Sequence, residues 1–243
     1  MFHIRASIRR DPLAVRHFAI TGLLDGSAES DHRLAWSVVA DDPAAKRDFV
    51  FKVISRDPFA VEMLSSRKPS VPDGLWDIKA KEVDLRFEMG SVHDIATTAV
   101  LMRSARPGSP DGRGKKHDLV SAVLHDLRSG NPAPEVAHLS SDAKRQDVVR
   151  PAAMYWFWRA GPRLGFELVQ GDGGEPLCHA EISNASRARG SLPGCVPSIR
   201  AIDVRTRVKV TDPVAFSAML TQGIGSAKSY GYGMVKALPA TGP

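Results

Sequence analysis

Strict alternation of apolar and polar residues predicts β-strands near both ends of the sequence. Residues 1–10 alternate in this way, and residues 199–210 do so with arginine or lysine at most of their polar positions. Because successive side chains of a strand point to opposite sides, each segment can bury one face and expose the other. Further strand patterns occur at 49–55, 60–65, 78–88, 96–103 and 233–238.

Helical spacing of apolar residues predicts three helices. The first begins at a cap provided by Ser30 or Asp31 and runs to about residue 40. The second, at 118–128, has one continuous apolar face, and the third begins at Asp212-Pro213, where proline suits the first turn. Less regular segments are a loop that follows residue 10 and runs through Gly22, Asp25 and Gly26, a mostly polar helix at 140–150, and strand or helix-entry segments at 154–158 and 164–170.

The order of these elements predicts an α+β protein built from two tandem ferredoxin-like (RRM-like) domains. The first half follows the order β-α-β-β-β, and a similar order begins again after Gly90. The predicted domains are residues 1–90 and residues 91–243, and the second carries a helical insertion and a glycine-rich loop. A length of 243 residues suits two domains of this size.

Composition indicates a globular protein, and its basic balance favours a polyanionic partner. Hydrophobic residues make up 43% of the chain and charged residues 25%, and the net charge is +6 with a pI of about 9.5. Basic residues cluster in two stretches, which contain Arg103, Arg106, Arg113, Lys115 and Lys116, and Arg187, Arg189, Arg200, Arg205, Arg207 and Lys209. Two such stretches can form one RNA-facing groove if the fold brings them together.

The sequence also bears on location and cofactors. Its apolar runs are all shorter than the ~18 residues needed to cross a bilayer, and its first residues carry too many charges for a signal-peptide core. We therefore expect a cytoplasmic protein without a membrane partner. Cys178 and Cys195 are too few for a disulfide framework or a four-cysteine zinc site, and the histidines lack the spacing of a helical zinc site. No metal or other cofactor is predicted.

The most informative motif lies at residues 223–233, which contain four glycines, Lys228 and two tyrosines. Glycines allow backbone N–H groups to approach a phosphate closely, the lysine adds charge, and tyrosine rings can stack on bases. A dinucleotide-binding motif is excluded, because its third glycine would fall at Lys228 and the segment follows a helix. On spacing alone, an ordinary loop between a helix and a strand stays open.

Further motifs make a resemblance specific. Residues 32–36 are His-Arg-Leu-Ala-Trp, residues 46–51 are Lys-Arg-Asp-Phe-Val-Phe, and residues 112–116 form a basic loop. These motifs are followed by Val-Thr-Asp-Pro at 210–213 and then by the glycine-rich segment. In this order they resemble the CRISPR repeat-processing endoribonucleases of the CasE type, which belong to the wider repeat-associated RNA-binding superfamily.

This resemblance implies a metal-independent endoribonuclease with two tandem ferredoxin-like domains. Such an enzyme binds the stem-loop of CRISPR repeat RNA and cleaves precursor CRISPR RNA at the base of the stem. In that chemistry the 2′-hydroxyl attacks the adjacent phosphate and leaves a cyclic phosphate and a free 5′-hydroxyl. The resemblance also implies that the protein stays on the mature guide RNA as a subunit of a multi-subunit surveillance complex.

Roles for individual residues follow from the resemblance and from the basic segments. His32 matches the family's catalytic histidine, and Arg33 and Lys116 are candidates for a share in catalysis. A helix start should lower the pKa of His32, whereas Asp31 beside it should raise that pKa. The predicted RNA contacts are Arg113, Lys115, Lys144, Arg145, Arg205, Arg207, Gly223, Gly225, Lys228, Tyr230 and Gly231.

Two alternatives stay open. The family often has a tyrosine three residues before the catalytic histidine, and here that position is Glu29. The protein could therefore be a non-catalytic subunit that binds repeat RNA and caps the guide hairpin. A general basic RNA-binding protein is the other alternative, although the sequence has no aromatic sheet motif of the RRM type. Separate measurements of binding and cleavage distinguish the non-catalytic subunit from the endoribonuclease. Equal affinity for unrelated hairpins would favour the general RNA-binding protein.

Overall fold

The computed structural model describes residues 1–39, 46–71, 74–104, 116–184 and 200–240. These residues confirm the α+β class, since they form five α-helices and antiparallel sheets. Two units are present. Over their described parts, unit 1 comprises Met1–Arg86 and Ser217–Met234, and unit 2 comprises Phe87–Ser186, Arg200–Phe216 and Val235–Pro243. The domain boundary near residue 90 stays a prediction.

Unit 1 contains a four-stranded antiparallel sheet. The elements of its first part are β1 (Phe2–Ile8), α1 (Pro12–Ile20), α2 (Ala28–Ser37), β2 (Phe49–Arg56), β3 (Phe59–Ser65) and β4 (Trp76–Glu82). The strand order β2-β3-β1-β4, with every neighbour antiparallel, is that of a ferredoxin-like sheet. In the described residues between β3 and β4, which are 66–71 and 74–75, the chain forms no helix.

The core of unit 1 lies between this sheet and the two helices. Ile4, Ala6 and Ile8 of β1 are buried, as the alternating pattern predicts. Phe18 of α1 and Leu34 of α2 belong to the same buried cluster. Apolar burial of this kind contributes about 25 cal/mol per Å², and here it fixes the position of α2 on the sheet.

Helix α1 lies where the sequence predicts only a loop. Asp11 caps the helix by accepting a hydrogen bond from the backbone N–H of Ala14 at 3.0 Å, and Pro12 occupies the first turn. Ala14 and Phe18, four residues apart, bury its inner face. A helix of 9 residues with two buried side chains leaves a weak periodic signal, and the turn-forming residues that follow conceal it.

Helix α2 begins earlier than predicted. Its cap is Ser27, whose Oγ accepts a hydrogen bond from the backbone N–H of Ser30 at 3.1 Å. Ser30 and Asp31, the predicted caps, lie inside the helix and are buried. The predicted end at residue 40 falls outside the described residues, and the helix itself ends at Ser37.

Unit 2 contains a second antiparallel sheet. In chain order, the elements from here on are β5 (Val92–Ala99), β6 (Met102–Ser104), β7 (Lys116–Asp118), α3 (Leu119–Arg128), α4 (Arg145–Leu164), β8 (Phe166–Leu168), β9 (Cys178–Ile182), β10 (Ile202–Val210), α5 (Pro213–Gln222) and β11 (Val235–Pro239). The order β11-β5-β10-β8, with β9 also paired to β10, is again ferredoxin-like. Helix α5 begins in unit 2, and its later residues belong to unit 1. Because α3 and α4 both precede β8, the predicted helical insertion is confirmed.

Helix α4 joins segments that the sequence pattern separates. It runs for 20 residues through Pro151 and Pro162. Each proline removes a backbone N–H and is normally a sign of a helix end. The prediction of a separate segment at 154–158 is wrong, because these residues lie inside α4. The helix predicted at 140–150 is confirmed from residue 145 onward, and the segment predicted at 164–170 contains β8. The helix persists because its inner side is buried, at Val148, Val149, Ala152, Ala153 and Phe157. Within the described ranges, no helix is both long enough and apolar enough to span a membrane.

Candidate functional site

His32 lies on α2 with its ring half-buried among aromatic side chains. The ring centroids of Trp36, Phe49 and Phe51 lie 6.3, 6.5 and 6.3 Å from the imidazole, and the Phe51 ring is nearly parallel to it, at 18°. The Nε2 atom of His32 is buried and has no hydrogen-bond partner among the described residues. An unpaired buried polar atom costs roughly 1–3 kcal/mol. A ligand can supply the missing hydrogen bond once the ring turns and brings this nitrogen to the surface.

The surroundings of His32 favour its neutral form. Burial lowers the pKa of His32 below its ordinary value of 6.5, and the positive charge of Arg47 lowers it further. The opposing effect expected from Asp31 is wrong, because Asp31 binds Arg56 through two hydrogen bonds of 2.9 and 2.6 Å. In the tautomer with hydrogen on Nδ1, a neutral imidazole can accept a proton at Nε2.

The glycine-rich segment forms a closed loop in unit 1. The backbone N–H of Ile224 donates to the carbonyl of Gly233 at 2.9 Å. A Cβ on Gly233 would lie 2.1 Å from the Ile224 carbonyl oxygen, and a Cβ on Gly223 would lie 2.7 Å from the Gly233 carbonyl oxygen. Gly231 approaches the ring of Phe51, where a Cβ would lie 3.2 Å away. Protein atoms fill these spaces, and the phosphate contacts of Gly223 and Gly231 stay predictions.

Lys228 lies in a 3-10 turn of this loop, Lys228–Tyr230. The turn packs against α2 and β2. It is bracketed by left-handed backbone at Ala227 (φ 60°) and Gly231 (φ 81°), and a non-glycine residue in that region costs about 1–2 kcal/mol. The loop thus holds Lys228 in a constrained position. Burial lowers the pKa of the half-buried Lys228 below its ordinary value of 10.5, and the charge of Arg47 contributes to the shift.

Arg47 is a charged residue that acts on both titratable groups, His32 and Lys228. It precedes β2, and its charge lowers the pKa values of both His32 and Lys228. The neighbouring carboxylate of Asp48 binds Arg67 at 2.6 Å, and in the described part of the chain Arg47 itself has no ion-pair partner. Sequence reasoning places Arg47 in a motif but assigns it no chemistry. The only signal in the sequence for a role of Arg47 is its position just before the strand that contains Phe49.

Tyr230 and Gly225 are the remaining predicted contacts of the glycine-rich loop. The Tyr230 side chain is 43% exposed, so its ring can stack on a base. Gly225 has a φ of 72° and is partly exposed. Both residues lie in unit 1, as do His32 and Lys228. The structure therefore brings the strongest sequence candidates into one unit.

Three of the other predicted residues belong to the basic segment at 112–116. Lys116 begins β7 in unit 2, and the position of its side chain is outside what the structure describes. Arg113 and Lys115 lie outside the described residues. Arg33, the remaining catalytic candidate, is exposed and binds Glu29, four residues before it, at 2.7 Å. The roles assigned to these residues stay predictions.

The predicted RNA contacts of unit 2 differ in their partners. Lys144 and Arg205 are exposed. Arg145 and Arg207 each engage a carboxylate, at 3.5 and 2.8 Å. An arginine that is already paired must share or leave its carboxylate to bind a phosphate. Lys144 and Arg205 are thus better placed for a phosphate contact than the other two.

Possible metal ligands are scattered in the described residues, which contain no group of three or more His, Cys, Asp or Glu side chains that could hold a metal ion. Cys178 is buried, and burial raises the pKa of its thiol, so the thiol form is favoured at neutral pH. Cys195 lies outside the described residues.

The fold and the site define a class of protein that has two ferredoxin-like sheets and a positively charged site in the unit that contains the first sheet. In that site, a neutral histidine and a lysine on a glycine-rich loop share one arginine neighbour, which suits proton transfer on an anionic ligand. The chain belongs to the family of CRISPR-associated proteins, since the model of that family matches residues 1–239. The resemblance seen in the sequence motifs is thereby confirmed at the level of the family.

Solved structures have the same fold. The CRISPR endoribonuclease Cse3 bound to a 19-nucleotide RNA is 17% identical, with a TM-score of 0.65 over 98% of this chain and 100% of that chain. Cas6e from Escherichia coli str. K-12 is 17% identical, with a TM-score of 0.60 over 99% and 100%. A chain of a CRISPR RNA-guided surveillance complex is 13% identical, with a TM-score of 0.51 over 99% and 100%. No curated protein sequence matches the chain. The tandem ferredoxin-like architecture is thus confirmed.

Proposed function

We propose that this chain is an endoribonuclease that binds the stem-loop of CRISPR repeat RNA and cleaves precursor CRISPR RNA at the base of the stem. The observation that carries the proposal is the neutral ring of His32, whose buried Nε2 has no partner among the described residues and whose neighbour Arg47 also acts on Lys228. Membership of the CRISPR-associated family supports the proposal. So does the fold likeness to Cse3 bound to RNA.

His32 is the base in the proposed reaction. The neutral imidazole takes the proton of the RNA 2′-hydroxyl, and the 2′-oxygen then forms a bond to the adjacent phosphorus. A base whose pKa lies below neutral pH is already in its active form at pH 7. When RNA is bound and the ring has turned to expose Nε2, the hydroxyl itself supplies the missing hydrogen bond.

Lys228 is the proton donor in this scheme, in addition to the RNA contact predicted for it. As the 2′-oxygen attacks, the bond from phosphorus to the 5′-oxygen breaks, and that oxygen takes a proton from the ammonium group. A lowered pKa makes Lys228 a stronger acid than an ordinary lysine while leaving it charged at pH 7. Arg47 stabilises the negative charge that develops on the phosphate. Arg33 and Lys116, which the sequence named as candidates for a share in catalysis, contact phosphates in this scheme and transfer no proton.

The reaction needs no metal ion, and this is tested with excess EDTA. We expect undiminished cleavage of the cognate repeat RNA, with a 2′,3′-cyclic phosphate on one product and a 5′-hydroxyl on the other. The matched control is the same RNA with a single 2′-deoxynucleotide at the cleaved position, which should bind equally well and stay intact. Cleavage that stops in EDTA, or that leaves a 5′-phosphate, would contradict the mechanism.

The dependence of cleavage on pH tests the base role of His32. Since burial and Arg47 hold the pKa of His32 below 6.5, its neutral form persists at pH 6.5 and is lost only on further acidification. We expect kcat/KM, which reports the groups of the free enzyme, to fall as the pH drops through this lowered pKa. Arg47→Gln removes one cause of the shift, so the fall should begin at a higher pH. An acid limb above pH 6.5 in the unaltered protein would argue against this assignment.

We also propose that the protein keeps its product and joins a surveillance complex as the subunit that holds the guide hairpin. The support is the fold likeness to a chain of a CRISPR RNA-guided surveillance complex. The time course measured in EDTA addresses retention directly. A product yield that levels off at one RNA per protein molecule is the expected result, and continued turnover would remove product retention from the proposal.

The non-catalytic alternative has one observation in its favour. Glu29, at the position of the family's tyrosine, binds Arg33 at 2.7 Å, so its carboxylate is engaged away from proton transfer. A capping subunit would bind the repeat hairpin tightly and leave it uncut under every condition above. Binding measured by fluorescence anisotropy and cleavage measured on a gel, from the same samples, separate the two functions.

A further inference from the structure

Helix α4 presents an exposed aromatic and basic face that the proposed cleavage site does not use. Trp158 is 59% exposed, although tryptophan is on average a highly buried residue. Tyr155 and Arg159 lie within one turn of Trp158, and Pro162 and Arg163 follow one turn later. We call Tyr155, Trp158, Arg159 and Arg163 the α4 face.

Three of the four side chains of this face, Trp158, Arg159 and Arg163, are exposed, and Tyr155 is half-buried. The buried residues Phe157, Ala160 and Gly161 of the same stretch lie on the opposite side of the helix. The neighbouring Trp156 packs against Phe157, with ring centroids 5.2 Å apart. Trp158 takes part in no such ring contact within the described residues. A large exposed ring that adds nothing to the core is a candidate for a contact with another molecule.

After its first turn, helix α4 carries charges of one sign only. From residue 148 to residue 166 the sequence contains three arginines and neither aspartate nor glutamate. The Arg159 guanidinium lies 5.7 Å from the centre of the Tyr155 ring and donates to the Tyr155 hydroxyl at 2.9 Å. This contact aligns a cation and an aromatic ring on the same face. Arg163, one turn further on, is exposed.

We infer that the α4 face binds single-stranded RNA, with a base stacked on Trp158 and phosphates held by Arg159 and Arg163. Proteins that bind single strands combine aromatic platforms with a positively charged path for the backbone, and both are present here. A protein partner would need acidic side chains to match these arginines, whereas every RNA strand carries negatively charged phosphates along its whole length. The inference rests on the proposed function only for the class of ligand, which is RNA.

The test measures the affinity of the full-length protein for an unstructured oligouridine of about 12 nucleotides, a length within the usual site sizes. Trp158→Ala should weaken this binding by roughly 5- to 100-fold, the loss that stacking of one base implies. Arg163→Gln should weaken it less and reduce its dependence on salt. Trp158→Phe, which keeps a stacking ring, should restore most of the affinity. Leu238→Ala is the matched control, because it removes a side chain of unit 2 that is 64% exposed.

The result is separable from the proposed cleavage. The same variants should bind and cut a repeat hairpin without single-stranded tails as the unaltered protein does. If neither the unaltered protein nor any variant cuts RNA but oligouridine binding still depends on Trp158, the inference about the α4 face holds and the proposed function fails. Unchanged oligouridine affinity in Trp158→Ala overturns the inference. If that variant instead loses co-purifying protein subunits, the face belongs to a protein partner.

Discussion

Replacing His32 with alanine is expected to slow cleavage of the repeat RNA by about 10²–10⁴-fold, the usual worth of a positioned proton acceptor. The affinity for the uncut hairpin should stay within a few-fold, because a neutral ring contributes little to holding phosphates. The measurement is a single-turnover cleavage rate beside an equilibrium binding curve. A full cleavage rate in His32→Ala would remove His32 from the reaction.

The control for this prediction is an exposed residue of the same unit that has no assigned role. Ile20→Ala removes a side chain of α1 that is 75% exposed, and we expect a rate close to that of the unaltered protein. Because the His32 ring packs beside Phe49 and Phe51, alanine also leaves space behind. His32→Gln fills much of that space, and it should be as slow as His32→Ala with a smaller loss of stability. A fast His32→Gln variant would assign the defect of His32→Ala to packing.

Replacing Gly233 with alanine is expected to lower the free energy of unfolding by about 3 kcal/mol. The left-handed backbone at Gly233, with φ of 81°, accounts for about 1–2 kcal/mol of this loss. The remainder comes from crowding, because the new Cβ would lie 2.1 Å from the Ile224 carbonyl oxygen and overpacking costs about 1–3 kcal/mol. Cleavage should fall as well, since the same loop holds Lys228.

Gly22→Ala separates the two contributions. Gly22 has a φ of 67°, and a Cβ there would meet nothing within 4 Å, so only the cost of the backbone conformation applies. Urea denaturation of both variants should give a loss about 2 kcal/mol larger for Gly233→Ala. Equal losses would show that the loop rearranges without cost and that crowding is unimportant there.

The strands were largely predictable because their signal is local. In β10, Ile202, Val204 and Val208 are buried while Arg205 and Lys209 are exposed, as strict alternation requires. Helix α4 was not predictable as one element, because Pro151 breaks the pattern and only the packing of residues on both sides shows that the helix continues. Strand β4 ends at Glu82 rather than at residue 88, since its pairing with β1 ends where Phe2 faces Glu82.

The residues of the candidate site that belong to a sequence motif were predictable. The interactions between residues that are distant in sequence were not. His32 and Lys228 each belong to a recognisable segment, and the sequence names both. The part played by Arg47 depends on the packing of the 3-10 turn against α2 and β2, which no local pattern reports. Similarly, Arg207 pairs with Asp94, a residue far from it in sequence. The alternating pattern of the strand does not reveal this ion pair, and it therefore predicts Arg207 as a phosphate contact.

The division of the chain has a consequence for its synthesis. Met1–Arg86 leave the ribosome well before Ser217–Met234, which unit 1 also needs and which carry Lys228. Contacts between such distant segments form late and slowly compared with local ones. A nascent chain can therefore form the β1–β4 sheet and its buried cluster long before the glycine-rich loop is available. On the proposed mechanism, cutting activity begins only after Ser217–Met234 have been made, and a nascent chain that still lacks them cannot damage the transcripts around it.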